Sequence, residues 1–577
     1  MGALFTATLQ VDADRWLSFH DPLLVLQADT ADAVRRTLVD VEQLTRDRGL
    51  HAVGFLTYEA GSAFGLPASA RPADVPLAWF ALYEPAHVTQ VGRPSREGDY
   101  SLGQLTPSLD RAAFRSAFSR IKEHLAAGDS YQANFTFTIR GAFSGDAASL
   151  FADLVEAQQG QYSACIDLGD VAICSASPEL FFELEGASIL ARPMKGTARR
   201  GRTLDEDRTA AAALASSAKE QAENVMIVDM VRNDLGRVAD VGSVEVPELF
   251  RVERFPNVWQ MTSLVKARCL APLDAIVAAL HPSASVTGAP KVRTMELLAE
   301  LEGAPRGVYT GAIGHVPPDG LARFNVAIRT AVVDRRTETV TFGVGSGVVW
   351  DSTADAEYDE CLLKAGVLGR TPVRFELLET LLWSPADGYV LLEPHIQRLA
   401  DSAEYFGVPI SATRIRNALV DAVAGAQAER RVRLLVARDG TPRTESQPHE
   451  AWPEPVPVAL ALAPVDPDDR FLFHKTTNRG VYEQAKASRP GYRDVILWNS
   501  RGELTETTMA NLVLELDGAL VTPPVSSGLL PGTYRAEMLA RGQVVERVVR
   551  VEELRRATRV WLVNSVQGQR VAQVSVE

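Results

Sequence analysis

Lysine is scarce in this chain. Of 59 basic residues, only Lys122, Lys195, Lys219, Lys266, Lys291, Lys364, Lys475 and Lys486 are lysines. Codon bias accounts for the arginines, but each remaining lysine gains weight as a candidate for amine chemistry that an always-protonated guanidinium cannot perform. Cysteine is rarer. Cys165, Cys174, Cys269 and Cys361 form no CxxC pair and no regular framework, which excludes a disulfide scaffold and favours reduced, buried thiols. Positive charge is outnumbered: the net charge of -14 argues against an intrinsic nucleic-acid or membrane surface, while leaving room for a local cation cluster around an anionic substrate. Apolar runs such as 434–437 and 458–463 are far shorter than the ~20 residues that span a bilayer. The amino terminus, MGALFTATLQVDADRW, lacks a basic region and an apolar core, so no signal peptide is expected and a cytoplasmic location follows. Repeats, low-complexity tracts and a Gly/Ser tether are also missing.

What is present is enough chain for more than one core. At 577 residues two or more domains are expected, and 46% apolar with 23% charged residues is ordinary for globular proteins. A helix over 357–365 runs into GVLGRTPVR, a turn-rich segment that sets a boundary near residue 370. Beyond it, RFELLETLLWSPADGYVLLEPHIQRLADSAEYFG predicts strand, turn (385–388), strand and an amphipathic helix ended by Gly407. Before it, strands over 171–175, 180–184, 188–191 and 339–342 alternate with helices over 111–127, 205–231, 273–280 and 291–301, a mixed pattern without βαβ cadence. The closely spaced glycines of GVGSGVVWDS read as a turn that lets backbone approach a ligand; they lack the GxGxxG spacing of a dinucleotide site.

Two acidic pairs stand out: Glu220 with Glu223, and Glu357 with Glu360, the latter followed one turn on by Lys364. Spacings of three and four place each set on one helical face. Any one such pair is most simply a solvated face. Two pairs, one running into an apolar stretch and one following glycines, suit Mg²⁺ held together with an anionic substrate.

The stretches GDSYQANFTF, SASPELFFELEG, RPMKGTARRG, AENVMIVDMVRNDLGRV, HPSASVTGAPKVRTMELL, YTGAIG, NVAIRT and GVGSGVVWDSTADAEYDECLLKA occur in that order over 105–368. Together they resemble the chorismate-utilising enzymes, which include anthranilate synthase component I, aminodeoxychorismate synthase component I, and isochorismate and salicylate synthases. Residues 1–104 resemble the amino-terminal region of the same proteins less specifically. The resemblance implies an α+β fold of large β-sheets with flanking helices. It implies Glu223 and Glu360 as the closest Mg²⁺ ligands, with Glu220 and Glu357 direct or through water. Tyr309, Arg329 and the amides around Gly345 and Gly347 would hold one chorismate carboxylate, Lys364 the other, and Thr287 would join the substrate site. His281 falls where the family has a histidine near the reacting ring; a packing or capping role before Pro282 is the alternative. Asn224 stands where related sequences often carry histidine. Within the family, PMKGT resembles the PIKGT of aminodeoxychorismate synthases rather than the PIAGT of anthranilate synthases. Lys195 would then attack ring carbon 2 and expel the 4-hydroxyl, and ammonia would add at carbon 4 and expel the lysine. A structural lysine, or a general base activating water, are the other roles open to it. No cysteine sits in a glutaminase context, so a separate glutamine amidotransferase subunit is the expected ammonia source.

Residues 371–577 carry HIQRLADSA, FHKTTNRGVYEQA, NSRGELTETTMANLVLEL, TPPVSSGLLPGTYR and VNSVQG. These resemble the fold-type IV α/β enzymes that use pyridoxal 5'-phosphate (PLP), including branched-chain and D-amino-acid aminotransferases and aminodeoxychorismate lyase. Lys475 would bond the cofactor and Glu506 would face its pyridinium nitrogen. Arg398 and the amides of Thr533, Tyr534, Ser565 and Val566 would cradle its phosphate, with Gly532 permitting close approach to a helix start. The usual glycine- and aromatic-rich segment ahead of the first strand is replaced by GRTPVRFELLET. Fusion to a domain that aminates chorismate favours a lyase releasing pyruvate and 4-aminobenzoate, with a homodimer through this domain as a further expectation. An aminotransferase or a degenerate PLP domain, and anthranilate synthesis by the first half, are the rival readings.

Overall fold

The computed structural model describes residues 5–12, 14–69, 74–369 and 372–575. The boundary expected near residue 370 falls on Arg370 and Thr371, outside the described residues, as do the first four residues of the amino terminus. The chain forms two compact units, one of Met1–Arg199 with Ala211–Pro372, the other of Arg200–Ala210 with Val373–Glu577.

The first unit is built on two large sheets. In the eleven-stranded sheet, Gln132–Gly145, Thr339–Val348, Thr330–Asp334, Val171–Ser177 and Tyr162–Asp167 are successive antiparallel neighbours. In the ten-stranded sheet, Val258–Arg268, Ser188–Arg192, Leu180–Glu185, Ala322–Val326, Ala312–Val316 and His51–Leu56 follow one another. The helix Arg111–Ala127 shows how local sequence sets an element. Asp110 accepts the Ala113 N–H at its start, and Gly128 takes a left-handed φ of 78° at its end. Its buried Phe114, Phe118 and Ile121, spaced four and three apart, pack onto the core that Phe135, Phe137 and Phe342 supply from the larger sheet.

Two expectations change. The helix read over 205–231 is two, Leu204–Ser216 and Ala218–Gly236, because the Ser217 side chain accepts the Glu220 N–H and starts a new helix. The glycine-rich segment is not a turn: Gly343, Gly345 and Gly347 lie inside the strand Thr339–Val348, opposite Thr138, Thr136 and Asn134. Period-two spacing puts all three on one face and strips that face of side chains.

In the second unit, helices Leu392–Phe406 and Ala412–Ala422 bury Leu399, Ala403, Ile415 and Leu419 with Leu377, Leu381, Val432, Leu434 and Val436 of a four-stranded sheet. An eight-stranded mixed sheet forms the rest. The segment Arg200–Ala210 is anchored here. Arg200 donates to Asp207 at 2.6 Å and to the Tyr405 carbonyl at 2.7 Å, and the Tyr405 hydroxyl donates to the Gly201 carbonyl at 2.7 Å. Among the described residues, no helix is long and apolar enough to cross a membrane.

Candidate active sites

The bare glycine face is the floor of the first site. A methyl group on Gly343 would lie 2.1 Å from Tyr309 Cγ, and one on Gly347 would lie 2.6 Å from Lys195 Nζ. The Tyr309 ring and the Lys195 amine therefore occupy space that only glycine leaves open. Lys195, on the strand Met194–Arg199, places Nζ 3.5 Å from Glu223 Oε2. Its carbonyl accepts from Asn224 Nδ2 at 3.1 Å, and Asn224 Oδ1 accepts from Ser263 Oγ at 2.6 Å. Buried Asn224 is thus a strut under the lysine strand. Lys364 reaches Glu360 at 2.6 Å and donates to the Gly345 carbonyl at 2.8 Å, while Arg329 donates to the Lys364 carbonyl at 3.1 Å.

The electrostatics join these groups. Against partial desolvation, the charges of Lys364, Lys195 and Arg329 hold the Glu360 carboxyl below its ordinary range. Burial, then the like charge of Glu223, pushes the Glu220 carboxyl up. Among the described residues, no group of three or more His, Cys, Asp or Glu side chains is placed to hold a metal ion, and Glu357 makes no ion pair. The four carboxylates stand as two pairs on separate helices, and Glu223 and Glu360 are paired with lysines. Their donor chemistry, carboxylate oxygen alone, fits Mg²⁺, and a divalent ion would relieve the repulsion between Glu220 and Glu223.

Burial drops the His281 imidazole to about 4, so it is neutral. Its Nε2 lies 2.9 Å from the Thr57 carbonyl, and its buried Nδ1 has no partner. With Nε2–H donating, Nδ1 is an open acceptor. The Thr287 hydroxyl is committed to the Ser283 and Ala284 carbonyls at 3.1 and 3.3 Å, which makes it a brace for the backbone.

Two residues of this first site escaped the sequence reading. Glu179 is 3% exposed, and burial raises its carboxyl to about 7, with Ser285 and the Met194 amide as partners. Bonded to the amide of Met194, the residue before Lys195, it keeps its proton to a higher pH than an ordinary carboxyl. An acid directly ahead of the apolar run of SASPELFFELEG was the available signal. Gln132 is 1% exposed with Oε1 unpaired, and its Nε2 lies 3.4 Å from where a Gly347 methyl would be, beside the Lys195 amine.

The second site is a cavity of about 500 Å³ whose lining includes Lys475, Glu506, Arg398, Thr533, Ser565 and Val566. Tyr534 is not part of that lining. Burial, then Arg398, lowers the Lys475 amine to about 8. Glu506, 4% exposed, accepts from Tyr482 Oη at 2.9 Å, Asn511 Nδ2 at 3.1 Å and the Leu530 amide at 3.1 Å, and burial raises it to about 7. A methyl on Gly532 would lie 1.9 Å from Asn511 Oδ1, so the approach to the helix Thr533–Ala540 tolerates no side chain. Arg398 is fixed by Glu379 at 2.9 and 2.6 Å. His395, not singled out from the sequence, bonds Glu379 through Nδ1 at 2.7 Å and Ser565 Oγ through Nε2 at 2.8 Å. Its spacing of three from Arg398 within HIQRLADSA was the clue. The Val566 amide already donates to Asn564 Oδ1 at 3.0 Å. A buried amine, a buried acid held by three donors and a cation beside a helix start fit PLP: a carbonyl, a ring nitrogen and a phosphate.

Comparison with known proteins assigns a family model to each half of the chain. Residues 6–370 match the family model of the chorismate binding enzymes, and residues 376–574 that of the class IV amino-transferases. Anthranilate synthase component 1 1 of Haloarcula marismortui is 38% identical over 293 residues, covering 49% of this chain and 60% of that protein. Aminodeoxychorismate synthase component 1 of Salmonella typhimurium is 41% identical over 255 residues, covering 44% and 56%. The chain thus spans little more than half the length of these relatives. Anthranilate synthase component I from Streptococcus pneumoniae superposes with a TM-score of 0.54 at 25% identity, over 64% of this chain and 93% of that one.

Proposed function

The chain belongs to the chorismate binding enzyme family, with a class IV amino-transferase domain behind it, and on that premise we propose that it converts chorismate to 4-aminobenzoate in two steps. The observation that carries the reading is the Lys195 amine over Gly347, 3.5 Å from Glu223 and beside Gln132. Relatives named anthranilate synthase and aminodeoxychorismate synthase match with similar identity, so a nucleophile in the floor of the site is what distinguishes the two chemistries for this chain.

In the first step Lys195 gives up its ammonium proton to solvent and the neutral amine bonds to ring carbon 2. The double bond shifts, and the 4-hydroxyl leaves as water with a proton from Glu179, which regains one when the incoming ammonia is deprotonated. Ammonia then bonds to carbon 4 and the lysine nitrogen leaves carbon 2, so that chorismate and ammonia give 4-amino-4-deoxychorismate and water. Arg329, Tyr309 and Lys364 orient the two carboxylates of the substrate. Glu223 and Glu360, with Glu220 and Glu357, would hold Mg²⁺, which supplies positive charge against a substrate carboxylate. Ammonia comes from glutamine on a separate amidotransferase subunit.

In the second step 4-amino-4-deoxychorismate yields 4-aminobenzoate and pyruvate. PLP, when bound, supplies an electron sink at the amine-bearing carbon. Lys475 takes the carbon-4 proton at Nζ, while Glu506 would hold the ring nitrogen of PLP, and Arg398 with the start of Thr533–Ala540 would hold its phosphate. Incubation with chorismate, Mg²⁺, PLP and ammonium, followed by chromatography, tests the proposal. 4-Aminobenzoate with equimolar pyruvate is expected; 2-aminobenzoate as the product, or no aromatic amine, overturns it.

A further inference from the structure

The PLP cavity holds more positive charge than its cofactor uses. Six cations line it: Arg398, Arg431, Arg433, Lys475, Arg479 and Arg493. Three are accounted for. Arg398 is neutralised by Glu379, Arg433 by Glu445 at 2.9 Å, and Lys475 is the cofactor lysine. Arg479 donates to the Thr508 carbonyl and lies over the Tyr482 ring, which ties it to the wall that holds Glu506.

Arg431 and Arg493 remain. In the strand Arg430–Val436, Val432, Leu434 and Val436 face the apolar core, so Arg431 and Arg433 share the opposite, cavity-lining face. Across the ladder Arg433 meets Glu445, whereas Arg431 meets neutral Gln447. Among the described residues no carboxylate pairs with Arg431. Its guanidinium is held below its ordinary range by desolvation and by neighbouring Arg433, and the charge of Glu445, which is paired with Arg433, offsets this only in part. Arg493 lies 5.7 Å from the centre of the Trp452 ring and likewise has no carboxylate partner. The chain runs from Gln447 and Pro448 through Glu450 to Trp452, all lining the cavity, so the two guanidiniums flank one stretch of wall. Among the described residues, neither carboxylate of the cavity forms an ion pair with them: Glu506 is buried among its three donors, and Glu450, exposed like the two arginines, bonds neither.

We propose that Arg431 and Arg493 form a carboxylate-binding pair that makes the PLP domain selective for amines carrying two carboxylates over ordinary amino acids. The inference rests on this cavity being the PLP site and deepens that reading by assigning the residues that recognise the substrate's carboxylates. Two guanidiniums without a carboxylate partner, exposed at the rim of the cavity, offer planar, bidentate donors to carboxylates, and a compound with one carboxylate can satisfy only one of them.

The test uses the full chain loaded with PLP and titrated with isophthalate or benzoate, read as perturbation of the visible cofactor band. The wild type is expected to bind isophthalate at least about tenfold more tightly than benzoate, since a hydrogen bond to a charged group contributes on that scale. Arg431→Gln and Arg493→Gln should each bring the two affinities within about threefold without moving the cofactor band, and Arg416→Gln, on an exposed helix, should change nothing. A wild type without preference, or variants that keep it, overturns the proposal. Pyruvate release from supplied 4-amino-4-deoxychorismate is scored separately. Selective dicarboxylate binding without pyruvate release sinks the lyase reading alone, and pyruvate release without selectivity sinks the arginine pair alone.

Discussion

Replacing Gly347 with alanine would displace the Lys195 amine without removing it. The added methyl would lie 2.6 Å from Nζ, against the roughly 3.5 Å at which non-bonded heavy atoms rest, so the amine must retreat by about 1 Å. The clash is with the far end of a flexible side chain, and Gly347 sits in ordinary extended strand opposite Asn134, so the backbone accommodates alanine. The cost therefore falls on turnover. A misplacement of about 1 Å in a reacting group costs on the order of 10²-fold in rate, or roughly 3 kcal/mol of transition-state stabilisation. Initial rates of chorismate amination with ammonium, read by chromatography, should fall by that factor, while the melting temperature and the visible cofactor band stay at wild-type values. Gly343→Ala is the contrasting control. Its methyl would lie 2.1 Å from the Tyr309 ring, which cannot swing aside, and the variant should lose stability. If Gly347→Ala aminates chorismate within about threefold of wild type, catalysis does not depend on where the Lys195 amine sits, and the nucleophilic role fails. If it melts like Gly343→Ala, the argument that the lysine yields is wrong.

The two lysines should separate the two activities. Lys195→Ala should lose at least about 10³-fold in amination while still cleaving supplied 4-amino-4-deoxychorismate, and Lys475→Ala should do the reverse and accumulate that intermediate; losses below about tenfold would deny either a covalent role. Glu223→Gln and Glu360→Gln should each abolish Mg²⁺-dependent turnover of chorismate, and near-normal rates with intact Mg²⁺ dependence would remove that carboxylate from the metal site. The Glu506 carboxyl is raised in the protein, so between its ordinary range and about 7 the folded form without cofactor holds a proton that the unfolded chain has lost. Its stability falls as pH rises through that window, by an amount on the order of 3 kcal/mol, and a protonated ring nitrogen facing the ionised carboxylate removes the deficit. The gain in melting temperature on adding PLP should accordingly be larger at pH 8 than at pH 5, and an equal gain at both would refute the pairing.

The sequence was most legible where one physical pattern governs a whole element. Arg111–Ala127 and Leu273–Leu280 run over the ranges that their helical pattern predicts. The mixed α+β class and the PLP-domain class follow from ordered motifs, and the family matches bear both out. The glycines 343, 345 and 347 were misread because closely spaced glycine signals a turn by default. Only the pairing with Gln132–Gly145 shows that it signals a strand face cleared for a ring and an amine. The break at Ser217 was hidden because helix-forming residues surround it and a single capping bond decides the outcome. Glu179, Gln132 and His395 were missed for a shared reason. Their candidacy rests on burial and on partners distant in the chain, Ser285 for Glu179 and Ser565 for His395, and local sequence encodes neither.

The two lysines are prepared in different ways, and the difference suits the two proposed chemistries. Lys475 has Arg398 as a like-charged neighbour and a desolvating wall, which together bring its amine to about 8, so a substantial neutral fraction exists near physiological pH. That is what bonding to a carbonyl cofactor requires, and it is achieved by burial. Lys195 is 22% exposed and lies against Glu223, and Glu220, Glu360 and Lys364 share its field. Such a set of paired charges is costly to bury but well suited to receive a dianion together with a divalent cation, because each incoming charge finds an opposite one in place. Glycine serves both arrangements, at 347 by leaving room for an amine and at 532 by letting a helix start close on Asn511. Substituting either glycine thus tests its site without altering a charge.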